Sequence, residues 1–123
     1  MTRDRRDGPP RGTVRRALEW LFVNRSTGRI TIGQFPNWSL ALFIVAAVLA
    51  WLLPVLSASS GFAGTPASVV ASALGRAAGL VATGAISWWG LEELFLGVNP
   101  MRRLLGAVVL AVVVGGAVAA ILG

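Results

Sequence analysis

Neither cysteine nor histidine occurs among the 123 residues, and every basic residue is arginine. The first two absences remove thiol nucleophiles, disulfides, imidazole acid–base chemistry and the usual zinc, copper and haem ligands, so no cofactor is expected. Charge is scarce as well, at 13% of residues. Against these gaps stand 55% hydrophobic residues and a mean hydropathy of +0.73, well outside the range of soluble globular domains. The chain reads as a membrane protein. About 20 apolar residues are needed for each helical crossing, so 12.8 kDa holds three or four spans and leaves no room for a soluble catalytic domain.

The few charges are unevenly placed. Eight of the eleven arginines (Arg3, Arg5, Arg6, Arg11, Arg15, Arg16, Arg25, Arg29) precede the first long apolar run, against Asp4, Asp7 and Glu19, which leaves +5 over residues 1–34. A basic segment beside a membrane anchor is retained on the cytoplasmic side and attracted to anionic lipid. Nucleic acid is not the expected partner, because no stacking platform or recognition module accompanies the charges.

Residues 1–12 combine mixed charge with Pro9 and Pro10 and have no apolar residue after Met1, which predicts a disordered Arg-rich tail. From Thr13, a potential cap, Val14, Ala17, Leu18, Leu21 and Phe22 recur at helical spacing while Arg15, Arg16 and Glu19 fall on another sector. This amphipathic helix either lies in the headgroup plane, with Arg15, Arg16 and Trp20 at the lipid headgroups, or packs on the ends of the spans. A turn at Asn24–Gly28 leads to the alternating Arg29-Ile30-Thr31-Ile32, an extended segment or small hairpin. Residues 13–37 thus form an interfacial unit, and residues 38–123 a three-helix transmembrane domain.

The spans are expected at about residues 38–58, 67–91 and 104–123. Asn37 is placed to cap the first, and Pro54 to kink or end its last turn. Both basic clusters, the tail and Arg102-Arg103, then fall on one side and the other side carries no formal charge except the C-terminal carboxylate, so the N-terminus is expected in the cytoplasm and the C-terminus outside a plasma membrane. A cleaved signal peptide fits less well, because the apolar run exceeds an h-region and an amphipathic segment separates it from the arginine pairs.

Three groups of residues stand out. Small residues recur every fourth position along the second span (Ala67, Ala71, Gly75, Gly79, Thr83, Ser87) and the third (Ala107, Ala111, Gly115, Ala119, Gly123). Such thin faces let membrane helices approach closely, and packing of the second span on the third is the favoured use, with an interface for another chain as the alternative. Arg76 is the only basic residue inside a span, either snorkelling to outer headgroups or pairing with a partner subunit, lipid or substrate. Glu92 and Glu93 face Arg102 and Arg103 across the Gly97-Val98-Asn99-Pro100 turn, which predicts a cytoplasmic ion-pair cluster rather than catalytic carboxylates. Span serines and threonines are expected to bond to helix carbonyls, and Trp51, alone among five tryptophans away from an interface, to pack within the bundle.

In NRSTGRITIGQFPNWSL and WWGLEELFLGVNPMRRLLG the chain resembles small uncharacterised integral membrane proteins of actinobacteria, a likeness covering most of the sequence after the tail. It implies no activity and transfers no catalytic residue. The expected protein is an all-α, non-enzymatic accessory, assembly or scaffold subunit binding another membrane protein or itself. The alternative is a homo-oligomeric transporter or channel for a small ion or solute, built by self-association because one copy has too few polar groups to line a path.

Overall fold

The computed structural model describes residues 12–30 and 37–123. Disorder over residues 1–12, apart from Gly12, and the extended run beyond Ile30 concern residues outside those described. Four helices follow in chain order: α1 (Thr13–Phe22), α2 (Trp38–Ser57), α3 (Pro66–Leu96) and α4 (Pro100–Leu122). The last three are each long and apolar enough to cross a bilayer. The chain is a small multi-pass helical membrane protein.

Each span begins at a side-chain cap that satisfies an otherwise orphaned backbone N–H. Asn37 accepts from Leu40 N, Thr65 from Ser68 N and Asn99 from Arg102 N. Pro66 and Pro100 occupy first-turn positions, where the missing N–H is not required. Helix α1 differs: Gly12 precedes it without a side-chain cap, so Thr13 is its first helical residue rather than its cap. After α1 the chain reverses in a small hairpin, with an antiparallel bridge between Val23 and Ile30. Asn24 Oδ1 accepts from Ser26 N at 2.9 Å and Thr27 N at 3.3 Å, and Gly28 takes the left-handed conformation (φ +69°) that closes the turn.

Helix α3 runs past both ends expected for it. Its 31 residues span about 46 Å at 1.5 Å per residue, against about 30 Å of hydrocarbon, so Glu92 and Glu93 lie within the helix and not beyond it. Its main neighbour is α2, packed along its length. The covered positions of α3 include Ser68, Ala71, Gly75, Ala78, Ala82, Ala85, Trp89 and Glu92, a repeat of three and four residues, beside which Gly79 is half-buried and Gly90 and Glu93 are buried. On α2 they include Ser39, Phe43, Ala46, Ala50, Leu53 and Ser57, with the same alternation, and the neighbouring Pro54. This is the seam of an antiparallel coil lined by small side chains.

The every-fourth-residue stripe of α3 is thus used only in part, with Gly75 and Gly79 packed on the first span rather than the third and Ala67 and Thr83 exposed. Four residues turn a helix about 40° past a full revolution, so such a stripe winds around the cylinder, whereas seven residues fall only about 20° short of two turns. Gly75 and Gly79 happen to lie where stripe and seam cross. A Cβ on Gly75 would sit 2.7 Å from the Pro54 ring, and one on Gly79 would touch Ala50 at 3.9 Å, both on α2. Ala71 is half-buried, while Thr83 is exposed and its hydroxyl bonds back to Gly79 O at 3.0 Å. Pro54 lies inside α2, which continues to Ser57, and its ring fills the space left by Gly75.

Helix α4 meets α3 only near the end carrying the helix α4 N-terminus. A Cβ on Gly106 would lie 2.5 Å from Gly90 O and 2.6 Å from Leu94 N, and one on Gly90 would lie 3.0 Å from Leu110. From Val114 to Gly123 every residue is exposed, and so is Ala111. Trp51, expected inside the bundle, is 68% exposed and faces outward.

Gly75→Ala places a methyl group against a rigid ring and is expected to lose about 1–3 kcal/mol of stability in denaturant titration of the micelle-bound protein. Gly84→Ala, with nothing within 4 Å of the new methyl, should be neutral or gain up to about 1 kcal/mol from helix propensity.

Candidate functional site

The polar chemistry of the spans is concentrated where α3 ends and α2 and α4 begin. Glu92 and Glu93 are consecutive on α3, so their side chains diverge by about 100° and address different neighbours. Glu92 turns to α2: Oε2 accepts from Asn37 Nδ2 at 2.6 Å and lies 2.9 Å from Ser39 Oγ, and Oε1 accepts from Trp88 Nε1 at 3.0 Å. Ser39 is wholly buried, with one proton to donate between Glu92 and Asn37 Oδ1, also 2.9 Å away. Asn37 thus caps α2 with its oxygen and holds α3 with its nitrogen.

Glu93 turns to α4. It is 4% exposed and receives both Nε and Nη2 of Arg102, the first at 2.6 Å, in a two-pronged ion pair. Planar guanidinium and carboxylate match in this arrangement, which fixes direction as well as distance. Burial makes the pair matter more for where α4 starts than for net stability, because desolvation offsets much of the Coulombic gain.

Arg103 takes no part in that pair. Its Nε donates to Gly97 O at 3.1 Å, closing the turn between the helices. Gly97 has no space for a side chain, since a Cβ would meet Glu93 O and the Arg103 backbone. The expected four-residue cluster is therefore divided: Glu93 and Arg102 form the ion pair, Glu92 binds the start of α2, and Arg103 holds a carbonyl.

Asn99, 1% exposed, joins this end of the bundle to the N-terminal unit. Its Oδ1 caps Arg102 N while Nδ2 donates to Phe22 O at 3.3 Å, and Arg25 N donates to Val98 O at 3.2 Å. The end of α1 and the hairpin are thereby each bonded to the α3–α4 turn. Between them opens a cleft of about 390 Å³ lined by residues that include Trp20, Arg25, Val98 and Arg103.

The remaining predicted residues lie apart from this end. Arg76 is exposed, and among the described residues it makes no hydrogen bond or ion pair. It follows Gly75, which packs on Pro54, so it stands about one turn from the end of α2. Arg15 pairs with Glu19 at 2.9 Å on the surface of α1, and Arg16 and Trp20 are exposed. Ala111, Gly115 and Ala119 are exposed, with nothing within 4 Å of a Cβ on Gly115. Span hydroxyls at Ser57, Ser72, Thr83 and Ser87 bond back to helix carbonyls, as expected. Ser39 is the exception. Its contribution, and that of Asn99, was not singled out from the sequence, although the N-W-S that opens the first span and the N-P that opens the third both place polar groups at the start of an apolar run.

No protein-family model matches the chain, and no curated protein or solved structure is significantly similar to it.

Glu93→Gln leaves the Arg102 charge without its carboxylate in a site where that side chain is 21% exposed. The expected loss is about 3 kcal/mol, at the low end for a broken buried pair, read by denaturant titration in micelles. Replacing both residues by leucine should recover most of it.

Proposed function

We propose that this protein is a non-enzymatic accessory, assembly or scaffold subunit of the plasma membrane, which binds another membrane protein or a second copy of itself through helix packing along α4. The observation that carries the reading is the uncovered outer half of α4, where Ala111, Gly115 and Ala119 lie exposed. Apolar exposure alone suits lipid. Small residues in a spanning helix, however, give lipid little to hold and allow a second backbone to come close, which is how membrane helices gain contact without a hydrophobic drive. In α3 the corresponding Gly75 already packs on α2, whereas among the described residues nothing lies within 4 Å of a Cβ on Gly115.

Glu92 and Glu93 support a non-catalytic role, since each is engaged by the helix starts it touches and neither opens onto a cleft with a nucleophile. The orientation follows the arginines, N-terminus in the cytoplasm and C-terminus outside. On that inner surface α1 lies in the headgroup plane: Val14 and Leu18 are exposed on its apolar face, and Arg16 and Trp20 are free to meet anionic lipid, with Arg15 shared with Glu19. Arg76, exposed and without a partner among the described residues, favours as second reading a homo-oligomeric transporter or channel in which it faces another subunit.

The test is affinity purification in mild detergent with mass spectrometry of what accompanies the tagged protein. Gly115→Leu and Ala119→Leu should each lower recovery of the partner, or of the homo-oligomer, about tenfold if they remove about 1.4 kcal/mol of packing. Unchanged recovery from both variants would refute the α4 interface. Loss of ion or solute flux in Arg76→Leu proteoliposomes, with association intact, would move the weight to the second reading.

A further inference from the structure

The cleft between the hairpin and the α3–α4 turn has a charge balance unlike the rest of this end of the bundle. Arg25 and Arg103 both line it and both are exposed. Among the described residues neither is ion-paired, because Glu93 is taken by Arg102 and Glu92 by Asn37, Ser39 and Trp88. Arg103 uses only Nε on Gly97 O, which orients its guanidinium and leaves both terminal amino groups available. The Arg25 side chain makes no bond, while its backbone N–H on Val98 O fixes its place on the opposite wall. Two like charges held in one cleft repel each other, and an anion between them removes that repulsion.

Three features narrow the class of anion. Guanidinium groups match phosphate oxygens in planar, two-pronged geometry. The positive end of the α4 dipole lies at the same place, since Asn99 and Pro100 also line the cleft. Pro100 is the first residue of a candidate span, which sets the cleft at the depth of lipid headgroups, with the exposed Trp20 ring on its rim. We propose that this cleft is a binding site for the phosphate of an anionic phospholipid headgroup, held between Arg25 and Arg103. The site stands apart from the α4 interface, since a chain with no protein partner still has it.

The experiment counts lipids retained by the detergent-solubilised protein in native mass spectrometry, with phosphatidylglycerol and phosphatidylcholine offered in equal amounts. The wild type should keep one phosphatidylglycerol in preference to phosphatidylcholine. Arg25→Gln should weaken that preference about fivefold, and the Arg25→Gln/Arg103→Gln pair should abolish it. Arg29→Gln, which removes an exposed charge on the same hairpin at a residue that does not line the cleft, should leave it intact. Arg25 makes no side-chain bond, so its variant reports binding even where Arg103→Gln perturbs the turn. Equal retention by wild type and Arg25→Gln, or an equal loss in the Arg29→Gln control, would overturn the site. Displacement of the lipid by inorganic phosphate or glycerol phosphate at equal concentration would assign the cleft to a soluble phosphate and overturn the headgroup.

Discussion

Two carboxylates at neighbouring positions hold this bundle together at one end. A helix that must be joined to two others cannot do so with residues on a single face, and the rotation of about 100° between consecutive residues gives Glu92 to α2 and Glu93 to α4. Both receiving groups are helix beginnings, where unsatisfied N–H groups and the helix dipole make the surroundings positive. The carboxylates also stand near the negative end of their own helix, so their contacts with Asn37, Ser39 and Arg102 offset an unfavourable placement as well as making a joint. Once Glu92 fixes where α2 starts, fifteen residues of α2 bring Pro54 opposite Gly75, and the seam between the two helices follows in register.

Much of this arrangement was legible in the sequence and part of it was not, for reasons that differ by residue. Uninterrupted apolar runs and the Asn37 cap located the spans, because length and the absence of charge are properties of one helix considered alone. The pairing of faces is a property of two helices. A repeat of four is conspicuous in an Ala- and Gly-rich sequence, yet it winds off any single face, and the repeat of seven that lines the seam is hidden among the same abundant small residues. The four charges around the turn were the right residues with the wrong grouping. Proximity in sequence allowed all of them to meet, and only the directions of their side chains separate the Glu93–Arg102 pair from Glu92 and Arg103. Ser39 was invisible because a buried serine has the same letter as one bonded to its own helix.

The structure is unevenly bound along its length, and this asymmetry bears on what it does. Helix α2 follows α3 over most of its course, but α4 is held by the Glu93–Arg102 pair, the Asn99 cap and the close contact of Gly90 with Gly106, all within its first few turns. Beyond Val113 every residue is exposed. An anchored start and an uncovered remainder give a helix whose position is set by the bundle while its outer surface stays available. In lipid such a surface gains from another helix only through packing, so the partner proposed for it would have to fit the backbone line of Ala111, Gly115 and Ala119 closely. Anchoring α4 at one end reduces the ordering that association would otherwise require, which favours a single docking geometry over a loose set. The same turn that anchors α4 also forms one wall of the arginine-lined cleft, so the residues that position the helix are continuous with those that line the cleft.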